Sequence, residues 1–134
     1  MAVAAGWLVD KSASARATEP GGRSLIEALA GMLFLCPMGE LEQLHSARSA
    51  RDYDSVKAEL HGGFEVVQPP ADIFDRALDL QRDLAHHHGM WHRTPIPDLF
   101  IAETALHHGL GVLHVDRDYE RIAEVRPLRV RRLH

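Results

Sequence analysis

Short apolar runs alternate with segments of helical period along this chain, and that alternation constrains the fold more than any other feature. Trp7-Leu8-Val9 is one such run and closes on Asp10. Phe34-Leu35-Cys36, Phe64-Glu65-Val66-Val67 and Gly111-Val112-Leu113-His114-Val115 repeat the theme, and the last closes on Asp116. Each suits a buried strand and is too short for a helix. Between the runs, apolar residues recur at helical spacing. Leu25, Leu29, Met32 and Leu33 share a face over 23–33. Pro37 suits the first turn of a helix to about Ser49, and 51–61 forms the second helix of that pair, stopped by Gly62-Gly63. Ile73, Ala77, Leu80 and Leu84 predict a helix over 71–87 with Asp72 as its N-cap. Further helices are expected over 98–108, closed by Gly109, and over 118–124. Residues 11–16 form a helical turn, and Leu128-Arg129-Val130 an edge strand. Strands alternating with helices in this way form an α/β fold with a parallel sheet.

The 134 residues suit a single domain spanning 1–134. Fifteen basic against 19 acidic residues leave a net charge of −4, which excludes a basic protein that coats DNA. An enzyme acting on nucleic acid remains open, because a bound metal reverses the sign of a site. The one cysteine, Cys36, excludes an intrachain disulfide and suits a reducing compartment such as the cytoplasm. No run of about 18 apolar residues is present, so no membrane-spanning helix is expected. The apolar start lacks a basic region and is interrupted by Asp10 and Lys11, so it reads as a strand and not as a signal peptide.

Sites in open parallel sheets form beyond the carboxyl ends of the strands. Asp10 and Asp116 each follow a predicted strand, and Asp98 follows Pro97 at a helix start. One acid in such a place is ordinarily structural. Three facing one crevice repel each other and call for a hard cation, Mg²⁺ or Mn²⁺.

The residues around these acids carry a family resemblance. Trp7-Leu8-Val9-Asp10-Lys11-Ser12-Ala13 resembles the first strand of PIN-domain ribonucleases. Leu41-Glu42-Gln43-Leu44-His45-Ser46-Ala47-Arg48 resembles the "LELLYSAR" helix of the VapC toxins in that family, with Gln43 and His45 as departures. Ile96-Pro97-Asp98-Leu99-Phe100-Ile101-Ala102 resembles their "IPDLLIA" segment, and residues 112–123 resemble their "VLHYDRDFDRIA" ending. The four motifs occur in order over nearly the whole chain. The resemblance implies a PIN fold, a central parallel sheet of about five strands flanked by helices. It implies a Mg²⁺-dependent endoribonuclease, with Mn²⁺ as a substitute, acting as the toxin of a VapBC toxin–antitoxin pair. The partners it implies are RNA, a VapB antitoxin and a second copy of the chain, with no membrane.

The family's acidic quartet maps onto Asp10, Glu42, Asp98 and Asp116, with Asp118 as a supporting acid. Periodicity alone does not separate Glu42 from Glu40; the Ser-Ala-Arg anchor at 46–48 fits the family register with Glu42. Ser12 either orients the site by hydrogen bonding or caps a helix. Lys11 and Arg16 either approach RNA phosphates or are solvated surface charges. The apolar stretch 25–35 and the helix pair after it either receive the antitoxin or pack in the core. The alternative to catalysis is a PIN-fold protein that only binds RNA or a partner, and loss of an acid would mark it; all four are present. A third reading, a nuclease for DNA or structured junctions, needs a longer chain than this.

Ten histidines, six of them clustered at 86–88, 92 and 107–108, invite a zinc reading. Gly89 between His88 and His92, and the lack of an HExxH pattern, weigh against it. Three histidines in a row suit a helix C-terminus. His114 reads as a satisfied core residue, and Cys36 as a small buried apolar group.

Overall fold

The structure, a computed structural model, describes residues 6–16, 27, 31–89 and 93–133, with the backbone alone for 14–16. Its elements are β1 (Trp7–Val9), α1 (Lys11–Arg16), β2 (Leu33–Leu35), α2 (Pro37–His45), α3 (Ala50–Gly63), β3 (Glu65–Val66), α4 (Ile73–His88), α5 (Ile96–His108), β4 (Gly111–His114), α6 (Asp118–Ala123) and β5 (Val130–Arg132). The five strands form one sheet in the order β3-β2-β1-β4-β5. Every neighbouring pair is parallel, with Leu8 of β1 opposite Phe34 on one side and Val112 on the other. The chain therefore builds outward from β1 to β3, then returns to lay β4 on the free side of β1. That reversal opens a crevice beyond the carboxyl ends of β1 and β4, where ligands bind in sheets of this kind.

Both faces of the sheet are covered, so β4 is buried at all four positions, as parallel strands require. Leu8, Leu80, Ile101, Val112 and Ile122 are fully buried and define the main core. Helix α5 buries Leu99, Ile101, Ala102, Glu103, Thr104 and Ala105, and is apolar nearly all round. It is the central helix, and its first turn delivers Asp98 to the crevice. The buried Glu103 meets the Nε of Arg126 at 3.4 Å, and Arg126 reaches Asp83 at 2.8 Å, tying α4 and α5 to the chain after α6. Gly109, at φ 68, accepts the left-handed turn that ends α5. A Cβ on Gly111 would lie 2.6 Å from the Trp7 ring, so only glycine lets β4 pass there.

Several boundaries differ from the sequence reading. Strand β2 begins one residue early, and Cys36 becomes the N-cap of α2. The helix from Pro37 stops at His45, and Ser49 caps α3 by accepting from the Asp52 N–H at 3.0 Å. Helix α3 runs through Gly62 and Gly63 and stops at Phe64. Asp72 stands at the N-cap of α4, yet its carboxylate bonds Arg76 at 2.8 Å and no backbone N–H. The edge strand lies two residues later than expected, because pairing sets its register: Val112 N–H donates to Arg129 O, and Val112 faces Val130. Of the expected helix over 23–33, Glu27 is helical and 31–33 are not; Leu25 and Leu29 lie outside the described residues. The first part of the proposed antitoxin stretch lies outside them as well.

Candidate metal centre

Asp10 follows the last residue of β1, where the backbone leaves the sheet. Its N–H still donates to Leu113 O at 3.0 Å, which pins it against β4. Asp10 is 6% exposed. The Ser12 N–H and hydroxyl both donate to Asp10 Oδ2, at 3.0 and 2.6 Å. Ser12 Oγ in turn accepts from the Val115 N–H at 3.1 Å. Ser12 thus orients Asp10 and ties α1 to the end of β4, and lies inside the helix, past its cap.

Asp98 is 5% exposed, in the first turn of α5. Glu42 reaches the same place from α2, and Oε1 of its carboxylate is buried without a hydrogen-bond partner. One oxygen from each of Asp10, Glu42 and Asp98 lies within 4.8 Å of the others. A second triad, Asp98, Asp116 and Asp118, meets the same limit. The expected quartet is therefore two triads that share Asp98. Asp116 sits past the end of β4, exposed at the crevice mouth, and Asp118 belongs to the cluster as much as Asp116 does. Asp116 Oδ1 accepts the Asp118 N–H at 2.9 Å, and Arg121 bonds Asp118 at 3.1 Å.

Glu40 points the other way. Two residues apart on a helix are about 200° apart around its axis. Glu40 bonds His61 at 2.6 Å and Lys57 at 3.3 Å, both on α3. Lys11 is half-buried beside Glu42, whose charge it favours. The side chain of Arg16 lies outside the described residues.

The carboxylates strain each other. Burial, then the charge of Asp10, then those of Asp118, Asp116 and Glu42 push Asp98 up to about 8. Burial and the hydrogen bond with Asp116 push Asp118 up to about 6. Burial and Asp10 raise Glu42 as well. Such a cluster, with an orphaned carboxylate oxygen at its centre, fits a divalent cation. Its donors are all oxygen, which suits a hard ion such as Mg²⁺ or Mn²⁺ over zinc.

The sequence reading missed Tyr119. It is fully buried, and its hydroxyl lies 2.8 Å from Asp10 Oδ1 and 3.3 Å from Asp98 Oδ1. Burial and those two charges hold its phenol well above the usual tyrosine range, so it remains a donor. A tyrosine on a buried helix face needs a partner for its O–H, and that was the available signal.

Among the described residues, the histidines lie apart from these acids, except His114. His87 and His88, at the end of α4, approach Glu124 at 3.7 and 3.1 Å. His108 Nε2 is 2.6 Å from Gln68 O, and His92 lies outside the described residues. His114 is buried as expected; its ring nitrogens make no close hydrogen bond, and the Asp116 backbone is the polar group that faces them. Its ring packs on Tyr119, 5.3 Å between centroids, and burial lowers its pKa, so it stays neutral. Cys36 is a buried free thiol.

An all-parallel sheet with two carboxylate triads at its switch point is an arrangement that can receive a metal ion through oxygen ligands. A family model described as the PIN domain matches residues 8–125. Ribonuclease VapC17 of Mycobacterium tuberculosis is 60% identical over 125 residues, covering 90% of each chain. Ribonuclease VapC21 of the same organism is 39% identical over 121 residues, covering 89% of this chain and 87% of that one. Among solved structures, DNA-bound VapBC from Salmonella typhimurium superposes with a TM-score of 0.78 at 17% identity, covering 96% of this chain and 98% of that one. VapBC-5 from Mycobacterium tuberculosis does so at 0.68 and 19%, covering 96% and 99%. The chain belongs to the PIN-domain family, among its VapC ribonucleases.

Proposed function

We propose that this protein is an endoribonuclease toxin of a VapBC system, and that Mg²⁺, or Mn²⁺ in its place, is its cofactor. The observation that carries the metal reading is the pair of carboxylate triads sharing Asp98 at the sheet's switch point. Asp10, Glu42 and Asp98 would hold one ion, and Asp98, Asp116 and Asp118 a second. Bound there, the ion supplies charge for a phosphodiester and lowers the pKa of a water. Ser12 keeps the Asp10 carboxylate turned into the crevice. Lys11 beside Glu42, and Arg16 further along α1, are the cations assigned to RNA phosphates. Burial of Asp10 and Asp98 keeps bulk water from screening the charges.

The partners follow the same reading: RNA as substrate, a VapB-type antitoxin, and a second copy of the chain. The VapBC structures with the same fold support the antitoxin. Leu41, Phe74, Leu78 and Ile96 are each more than 60% exposed, an apolar display that supports a protein partner. Among the described residues no helix is long and apolar enough to cross a membrane. The lone thiol Cys36 suits action in the cytoplasm.

The test is cleavage of a defined RNA by the purified protein. Cleavage is expected with Mg²⁺ and lost in EDTA, and the products carry 5′-phosphate and 3′-hydroxyl ends, because water and not the 2′-hydroxyl attacks. Cleavage that persists in EDTA and leaves cyclic phosphates would overturn the reading.

A further inference from the structure

We infer that the Tyr119 hydroxyl is a positioning group for the metal centre, clamping the carboxylates of Asp10 and Asp98 in the arrangement that receives the ion. The inference rests on the reading that those two residues hold metal. The packing of Tyr119 does not require its hydroxyl. The ring is fully buried at the start of α6, against His114, and a phenylalanine would fill the same space. The O–H accounts for itself only through the carboxylates. It reaches Asp10 Oδ1 at 2.8 Å and Asp98 Oδ1 at 3.3 Å, and so bridges β1 and α5.

Asp10 then has three donors: the Ser12 N–H and O–H on Oδ2, and Tyr119 on Oδ1. The two Ser12 donors occupy both lone pairs of Oδ2, and Oδ1 keeps one free for an ion beside the Tyr119 bond, so the group no longer rotates. Asp98 has no comparable set among the described residues, and the Tyr119 hydroxyl is what ties it to Asp10. Donors of this kind, one step out from the ligands, set ligand orientation and metal affinity. Glu42, by contrast, is left with an orphan oxygen, so the ordering falls on the Asp10–Asp98 pair.

The experiment compares wild type, Tyr119→Phe and Asp98→Asn by calorimetric titration with Mn²⁺ and with Mg²⁺. Tyr119→Phe is expected to weaken binding about 10-fold. The metal concentration for half-maximal RNA cleavage moves by the same factor, and excess metal restores cleavage. An unchanged or tighter affinity, with only a lower melting temperature, would mean that the hydroxyl is structural, and the inference fails. Asp98→Asn is the control on the underlying reading: if it binds metal as wild type does, the metal centre itself is misassigned. A second measurement needs no substitution. The chain has two tyrosines, and Tyr53 is exposed on α3. In protein labelled with 3-fluorotyrosine, Mg²⁺ is expected to shift the ¹⁹F resonance of Tyr119 with the calorimetric midpoint and to leave that of Tyr53 in place. A Tyr119 resonance unmoved at saturation would overturn the inference even if Tyr119→Phe failed to fold.

Discussion

Replacing Asp98 by asparagine is expected to stabilise the metal-free protein, and more so as the pH rises. Asp98 is 5% exposed, and burial together with Asp10 and the other acids pushes it up to about 8, from an ordinary value of 3.8. In the unfolded chain it ionises near 3.8, so across that window the folded state holds a proton that the unfolded state has lost. Stability then falls with rising pH, by at most about 1.4 kcal/mol per pH unit. From pH 5 to pH 8 the loss is about 4 kcal/mol, a large share of a domain's typical total. Asparagine has the same shape, can still accept from Tyr119, and carries no proton in this range. The two proteins should therefore be nearly equal at pH 5 and diverge toward pH 8. Glu42, Glu103 and Asp118 are also raised and act in the same direction; His114 is lowered and acts oppositely. Glu103 is common to both proteins and cancels in the difference, which reports Asp98 together with its repulsion of the neighbouring acids. The assay is urea unfolding in EDTA at pH 5, 6, 7 and 8. A wild-type-minus-variant difference that stays flat with pH would refute the reasoning.

Other substitutions separate the acids and probe the core. Glu42→Gln is expected to abolish cleavage, whereas Glu40→Gln keeps it and costs about 1 kcal/mol through its contacts with Lys57 and His61, read by activity and urea unfolding. Metal binding must displace the proton on Asp98, so Mg²⁺ affinity should rise with pH by up to about tenfold per unit below pH 8 and level off above, read by calorimetry. Arg126→Met leaves Glu103 buried without its cation, which should cost about 3 kcal/mol at pH 8 and less as the pH falls, in the direction set by its raised pKa. Leu80→Ala empties a fully buried position and should cost about 2–5 kcal/mol in the same unfolding assay.

The sheet was legible because each inner strand is a closed apolar run, and the acids after β1 and β4 mark where the chain leaves it. Asp10 and Asp116 could be placed for that reason, and Asp98 by the helix start after Pro97, together with the family's motifs. The division into two triads was not legible: side-chain reach brings Asp118 into the cluster, and no periodicity encodes that. Tyr119 was hidden because its partners come from elsewhere in the chain, 109 residues away at Asp10 and 21 at Asp98. On its own helix it reads only as a core aromatic with Ile122. The glycines at 62–63 misled because propensity is a weak prior; a glycine costs about 1 kcal/mol in a helix, and tertiary packing overrides that. The edge strand slipped because its register is set by hydrogen bonds to β4, to which Pro127 and Leu128 give no clue.

The proposed function turns on the carboxylates gathered around Asp98 holding the metal that cleaves RNA. It is tested most directly by single-turnover cleavage of one RNA by wild type and Asp98→Asn, each titrated with Mg²⁺ at neutral pH. Wild type is expected to cleave in a metal-dependent way, and the folded variant at a rate lower by more than about 100-fold, at every metal concentration. Equal rates in the two proteins would contradict it.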